Sequence, residues 1–137
     1  MKAHKIEMQM TVPFHDVDSM GVVWHGRYVK YLEVARCKLL DDLGFGYAAM
    51  MASEYFWPVV DMRVQYTKPL FFEQHINVVA EIVEWEFRLK IKYAIYDVES
   101  QVRLTKGYTI QVAVDKRTKE MCLETPTELL EKLNANN

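Results

Sequence analysis

The run Phe14-His15-Asp16-Val17-Asp18-Ser19-Met20-Gly21-Val22-Val23-Trp24-His25-Gly26-Arg27-Tyr28 gathers the residue types that could do chemistry. It holds two acids, two histidines and two glycines, set just ahead of the longest helical pattern in the chain. A helix beginning near His25 or Gly26 leaves its first backbone N–H groups without intrahelical partners, and the macrodipole makes that end partly positive. Such an end can hold an anion or polarise a carbonyl oxygen. A carboxylate a few residues upstream, Asp16 or Asp18, can then act on the carbonyl carbon. An electrophile holder paired with a base or nucleophile is the minimum that acyl transfer needs. Gly21 and Gly26 would let the backbone approach a ligand or adopt positive φ.

The elements that must position this stretch follow from periodicity. Before it, Ile6, Met8, Met10 and Val12 alternate with Glu7, Gln9 and Thr11, a half-buried strand ended by Pro13. After it, Tyr28 to Leu43 reads as a helix whose apolar arc contains Tyr28, Val29, Leu32, Ala35, Leu39, Leu40 and Leu43. Arg36 falls inside that arc, so its charge calls for a partner, either Glu33 one turn earlier or an aspartate of the stretch. Gly44 and Gly46 stop the helix. Ala48 to Ala52 is a candidate short helix. Strands then dominate. Val60 to Tyr66 alternates, as does Ile76 to Ile82, with a parity shift near Val83 that implies a bulge. Leu89 to Ile95 follows, and then a long strand in which Val102, Leu104, Tyr108, Ile110, Val112 and Val114 share one parity. Met121 to Leu123 suggests a short return strand. Thr125-Pro126-Thr127-Glu128 reads as a capping box opening a C-terminal helix. One strand, one long helix and then a run of tightly connected strands predict α+β architecture with an antiparallel sheet.

Composition narrows the function. The 137 residues fit one domain, and 50% hydrophobic against 26% charged residues excludes disorder. A net charge of −2 offers no nucleic-acid surface. With neither a leader pattern nor a membrane-length apolar run, a cytoplasmic protein without membrane insertion is expected. Cys37 and Cys122 are too few for a disulfide scaffold or a zinc site and read as two buried thiols. No Gly-x-Ser-x-Gly elbow, metal-ligand cluster or phosphate-cradling loop appears.

Asp16-Val17-Asp18-Ser19-Met20-Gly21-Val22-Val23-Trp24-His25, followed by Tyr28, Glu33, Ala35 and Arg36, resembles the signature of the hotdog-fold acyl-CoA thioesterases. The match is with the 4-hydroxybenzoyl-CoA thioesterase group and its Tol–Pal-associated branch. The resemblance implies a hotdog fold over residues 1–137: a curved antiparallel sheet of five or six strands wrapped around one long helix. It implies hydrolysis of an acyl-CoA thioester, with Asp18 as nucleophile or general base. The His25 N–H would polarise the thioester carbonyl, and its imidazole would orient water or relay a proton. Gly21, Val22, Val23, Trp24 and Tyr28 would line the substrate. CoA enters as substrate, or an acyl carrier protein in its place, and neither cofactor nor metal is called for. Phe14 stands where the Tol–Pal branch often has tyrosine, so a hydroxyl is missing near the site.

Read without the resemblance, Asp18 could equally order its loop through an Asx turn, and Asp16 does so through backbone hydrogen bonds. Glu33 is better used in pairing with Arg36 than as a second acid. His4, His15 and His75 read as surface or packing histidines. Arg63, Lys68, Arg88 and Lys90 are the basic residues available to a CoA diphosphate. The alternatives to a thioesterase are a hotdog hydratase or dehydratase, whose His and acid on a differently placed helix are not found, and an acyl-CoA sensor without catalysis. A homodimer or tetramer is expected, because a lone sheet would be open-edged and Tyr55, Phe56, Trp57, Phe71 and Phe72 look peripheral. Asp18 would then face the Val60–Tyr66 strand, or the connector before it, of a partner.

Overall fold

In the computed structural model, which describes residues 4–135, the alternation of apolar and polar residues builds strands where it is expected. β1 is Lys5–Thr11, β3 Val59–Tyr66, β4 His75–Glu84, β5 Leu89–Asp97 and β6 Arg103–Gln111, with the short strands β2 (Tyr55–Phe56) and β7 (Val114–Asp115) pairing apart from them. The five main strands form one antiparallel sheet in the order β1-β4-β5-β6-β3. The register of β4 on β5 shifts between Ile82 and Glu84, which is the bulge that the parity change at Val83 implies. Met121 makes a single bridge to Val114 in place of a return strand.

α1 runs from Tyr28 to Asp42, preceded by one 3₁₀ turn at His25–Arg27. Its buried face, Tyr28, Tyr31, Leu32, Ala35, Leu39 and Leu40, meets β4 and β1 over Ile76, Val78 and Ala80. A sheet wrapped on one long helix is the hotdog arrangement expected. α2 (Tyr47–Ala52) and α3 (Thr127–Ala135) complete the fold, and Leu129 and Leu133 of α3 are fully buried. Among the described residues no helix is long and apolar enough to cross a membrane.

Several expectations change. The apolar parity of β6 does not face α1. Strand partners share a face, and the buried Ile91, Tyr93 and Ile95 of β5 oppose Thr109, Gly107 and Thr105. The helix-facing side of β6 is therefore Thr105, Gly107, Thr109 and Gln111, with Tyr108 and Ile110 on the outer side. These buried polar groups are partly matched: the Tyr93 hydroxyl lies 2.8 Å from Thr109 Oγ1, and Gln111 Nε2 donates to the Trp57 carbonyl at 2.8 Å. Trp57 is not peripheral but buried against Phe45, whereas Phe56, Phe71 and Phe72 are exposed. Cys37 is exposed on the outer stripe of α1 beside Glu33, Val34 and Lys38, and Cys122 is half-buried, so neither thiol is fully buried. The capping box does not close: Glu128 accepts from the Ser53 hydroxyl, and among the described residues Thr125 Oγ1 is buried without a partner.

Candidate active site

The stretch between β1 and α1 folds as a small hairpin. Val17 bridges Val23, and the Asp18 N–H donates to the Val22 carbonyl at 2.9 Å. Gly21 takes φ +79°, a left-handed turn conformation that needs glycine, and its own N–H returns to the Asp18 carbonyl at 3.0 Å. The hairpin is pinned from the side by the segment before β4. Val23 N–H donates to the Leu70 carbonyl, Phe72 N–H to the Gly21 carbonyl, and Val22 bridges Phe71.

Asp18 is exposed on this hairpin. Its Oδ1 accepts from the Met20 N–H at 2.8 Å, an Asx turn that fixes the carboxylate. Among the described residues Oδ2 has no partner, so the local structural role and an outward-facing oxygen coexist. His25 and Gly26 open the 3₁₀ turn. The first bond of that turn runs from the Arg27 N–H to the Trp24 carbonyl, and among the described residues no protein acceptor takes the N–H of His25 or Gly26. The His25 imidazole is exposed between the rings of Trp24 and Tyr66. The Tyr66 hydroxyl donates to the His25 carbonyl at 3.1 Å, which ties β3 to the helix start. The Trp24 ring lies on Gly26: a Cβ there would sit 2.3 Å from it.

Tyr28 is buried, its ring 4.7 Å from that of Tyr66. Burial pushes its phenol up, the backbone of Leu70 partly offsets this, and Tyr66 adds to it. Val23 is buried, Val22 and Gly21 half-buried, and Trp24 exposed. The residues expected to line a substrate thus fall on one continuous surface only in part, with Val23 and Tyr28 as the layer beneath.

Asp16 differs from its expected role. Its carboxylate is buried and makes side-chain bonds: Lys30 Nζ donates to Oδ1 at 2.5 Å and the Tyr31 hydroxyl to Oδ2 at 2.7 Å. Arg27 Nε and His15 Nε2 lie 3.9 and 3.7 Å away. Burial raises the Asp16 carboxyl, but the bonds from Lys30 and Tyr31 and the charges of Lys30 and His15 outweigh it and hold it below the ordinary value. Burial and the same carboxylate push the Tyr31 phenol well up. Lys30 and Tyr31 lie outside the apolar arc read for the helix, although Tyr31 is buried, and nothing local marks them as partners of Asp16. Their i+14 and i+15 spacing from Asp16 carries no local signal.

Of the basic residues considered for a CoA diphosphate, Arg63 and Lys90 line a depression of about 430 Å³ on the outer sheet face with Lys92, Lys106 and Tyr108. Asp61 and Glu81 share that face, opposite Ile110 and Lys92. Arg88 is paired with Glu84 at 2.8 Å, and Lys68 stands apart after β3. Among the described residues no group of three His, Cys, Asp or Glu is placed to hold a metal ion.

Residues 12–133 match the model of the thioesterase-like superfamily. The chain belongs to that superfamily. As a thioesterase-like protein it is 31% identical over 116 residues to YneP of Bacillus subtilis, named as a candidate acyl-CoA thioesterase, with 84% of this chain and 83% of YneP covered. It is 34% identical over 71 residues to YbgC of Escherichia coli, named as an acyl-CoA thioester hydrolase, covering 52% of this chain and 53% of YbgC. The solved structure of DHNA-CoA thioesterase from Staphylococcus aureus superposes with TM-score 0.83 at 26% identity, covering 96% of this chain and 89% of that one. A 4-hydroxybenzoyl-CoA thioesterase variant complexed with 4-hydroxybenzoyl-CoA superposes with TM-score 0.80 over 94% of this chain and 98% of its own, and at 16% identity it speaks for the fold alone.

Proposed function

We propose that this thioesterase-like chain hydrolyses acyl-CoA thioesters: water adds to the carbonyl carbon, the C–S bond breaks, and a carboxylic acid and CoA thiol leave. The observation that carries the reading is the hairpin that holds an outward carboxylate, Asp18, on the loop leading into a helix start with two untaken N–H groups. The His25 N–H donates to the thioester oxygen as negative charge develops on it. Asp18 either attacks the carbonyl carbon, giving an anhydride that water then opens, or takes a proton from the attacking water. The His25 imidazole, exposed at the same place, orients that water. Gly21, Val22 and Trp24 border the acyl thioester, with Val23 and Tyr28 behind them.

The reading includes a homodimer, or a dimer of dimers, in the cytoplasm. It is supported by β3, an edge strand on which Val59, Val60 and Tyr66 are exposed. A second copy would cover that strip and the exposed Phe71 and Phe72, and would bring its own chain to Asp18. CoA and an acyl carrier protein present the same thioester, and a turnover panel distinguishes them. Release of free thiol from short, long and aromatic acyl-CoAs and from an acyl carrier protein is the measurement. Binding of acyl-CoA with no thiol released from any of them would replace this reading with that of an acyl-CoA sensor.

A further inference from the structure

The carboxylate of Asp16 is buried, and the proposed reaction does not use it. Its surroundings join the two halves of the site. The side chain is fully enclosed and takes Lys30 Nζ at 2.5 Å and the Tyr31 hydroxyl at 2.7 Å, both from the first turn of α1. The backbone of the same residue accepts the Trp24 N–H at 3.1 Å, and its own N–H goes to the Pro13 carbonyl at 3.2 Å. One residue therefore holds the chain entering the hairpin, the Val23–Trp24 peptide two residues before Gly26, and the first turn of α1. Two residues along the chain is Asp18. Remove the side-chain ties, and the hairpin keeps its own bonds between Asp18 and Val22, but its docking on α1 loses its buried anchor.

Resting on the hydrolytic reading above, we propose that Asp16 is a positioning residue: bonded to Lys30, Tyr31 and the Trp24 N–H, it fixes Trp24, and through it the His25 N–H that follows in the chain, relative to the Asp18 carboxylate, and so sets the rate of the chemical step without touching substrate. The charge pattern fits a clamp. Lys30, with Arg27 and His15 beside it, surrounds a carboxylate that burial would otherwise favour in its neutral form. A buried ion pair of this kind specifies one arrangement more than it adds stability. The arrangement specified here places an oxyanion donor against a base, where an error of an ångström costs about 10²-fold in rate.

The test uses Asp16→Ala, Lys30→Met and Tyr31→Phe in the full chain, with acyl-CoA turnover resolved into kcat and KM. Tyr31→Phe and Lys30→Met each release one tie and should lower kcat several-fold. Asp16→Ala should lower it by about 10²-fold. KM should stay within about threefold in all three, because a contact made to the transition state alone moves kcat and not KM. Asp16→Asn, which keeps one acceptor oxygen, for Tyr31 or Lys30 but not both, should recover part of the loss. Should Asp16→Ala fail to fold, the two helix variants and Asp16→Asn carry the comparison. A kcat within threefold of wild type in folded Asp16→Ala, or a KM that rises as far as kcat falls, overturns the proposal. If the wild-type chain releases no thiol at all, the hydrolytic reading fails and not this one. The clamp is then read from amide exchange at Trp24, whose N–H is bonded to the Asp16 carbonyl; it should quicken in Tyr31→Phe, and unchanged exchange overturns the proposal.

Discussion

Asp18 joins a structural bond to a chemical opportunity, and the two separate on mutation. In Asp18→Asn the amide oxygen can still accept from the Met20 N–H, so the Asx turn and the fold should survive while the base or nucleophile is gone. Turnover should drop by about 10² to 10⁴ with acyl-CoA binding retained. A variant keeping more than about a tenth of wild-type kcat would remove Asp18 from the chemistry. Arg36 behaves differently. Its side chain is 16% exposed, and its ion pair with Glu33 is long, 3.8 Å, to a carboxylate that is itself 61% exposed. That pair is weak. The guanidinium charge also acts on the buried Tyr93 hydroxyl, which is bonded to Thr109 Oγ1: burial pushes that phenol up, and Thr109 and Arg36 partly offset it. Arg36→Met should therefore cost about 1–2 kcal/mol, seen as a lower Tm, with kcat unchanged. The charge of Asp16 has a pH signature. Its folded carboxyl titrates below the unfolded one, so its stabilisation is complete above the ordinary carboxylate range near 4 and is lost as pH falls through the lower folded value. Chemical denaturation from pH 7 downward should show Asp16→Asn less acid-sensitive than wild type. Equal acid slopes would mean that the carboxylate is not held ionised.

Elements were legible in the sequence where one period dominated. β1, β4 and β5 alternate cleanly against solvent, so their faces could be read from spacing alone; the arc of α1 was read in part, since Val29 is exposed and Tyr31, outside the arc, is buried. The bulge in β4 was visible because a parity change has no other ready cause. The facing of β6 was not legible, because Tyr108 and Ile110 lie on the outer side and the helix side is built from threonines, a glycine and a glutamine. Periodicity cannot see that Tyr93 and Trp57 supply partners for Thr109 and Gln111 from other strands and loops. For the same reason Asp18 and His25 could be proposed from their motif, while the ties of Asp16 to Lys30 and Tyr31, formed only by the folded helix, could not. Gly107 also shows what pattern hides. A Cβ there would lie 2.3 Å from the Arg63 carbonyl, so β3 approaches β6 closely at this point. Gly107→Ala must push the two strands apart, at a cost of about 1–3 kcal/mol. Because β3 also carries Tyr66, bonded to the His25 carbonyl, the loss in Tm should come with a loss of turnover. A variant with wild-type Tm would show that the strands give way freely.

At the scale of the molecule, the uncovered side of β3 predicts assembly. Val59, Val60 and Tyr66 on the strand, with Phe71 and Phe72 just beyond it, leave an apolar strip beside an unpaired edge. Light scattering at micromolar concentration should give a dimer or a tetramer. A monomer with full turnover would contradict both the assembly and a site shared between chains. The strand order has a further consequence, for the sequence of events by which the site comes into being. β4, β5 and β6 are consecutive hairpins, whereas β1 must find β4 with Lys5 opposite Glu81, and β3 must reach β6 across them. Local pairings form early and distant ones wait on loop closure. The Asp18 hairpin hangs between β1 and α1, the last parts able to dock. In refolding, the far-ultraviolet signal of the β4–β6 meander should return first. Mutations in that meander should slow folding, while those at Val22 or Trp24 should chiefly quicken unfolding. A newly made chain would then be largely a sheet before it is a catalyst.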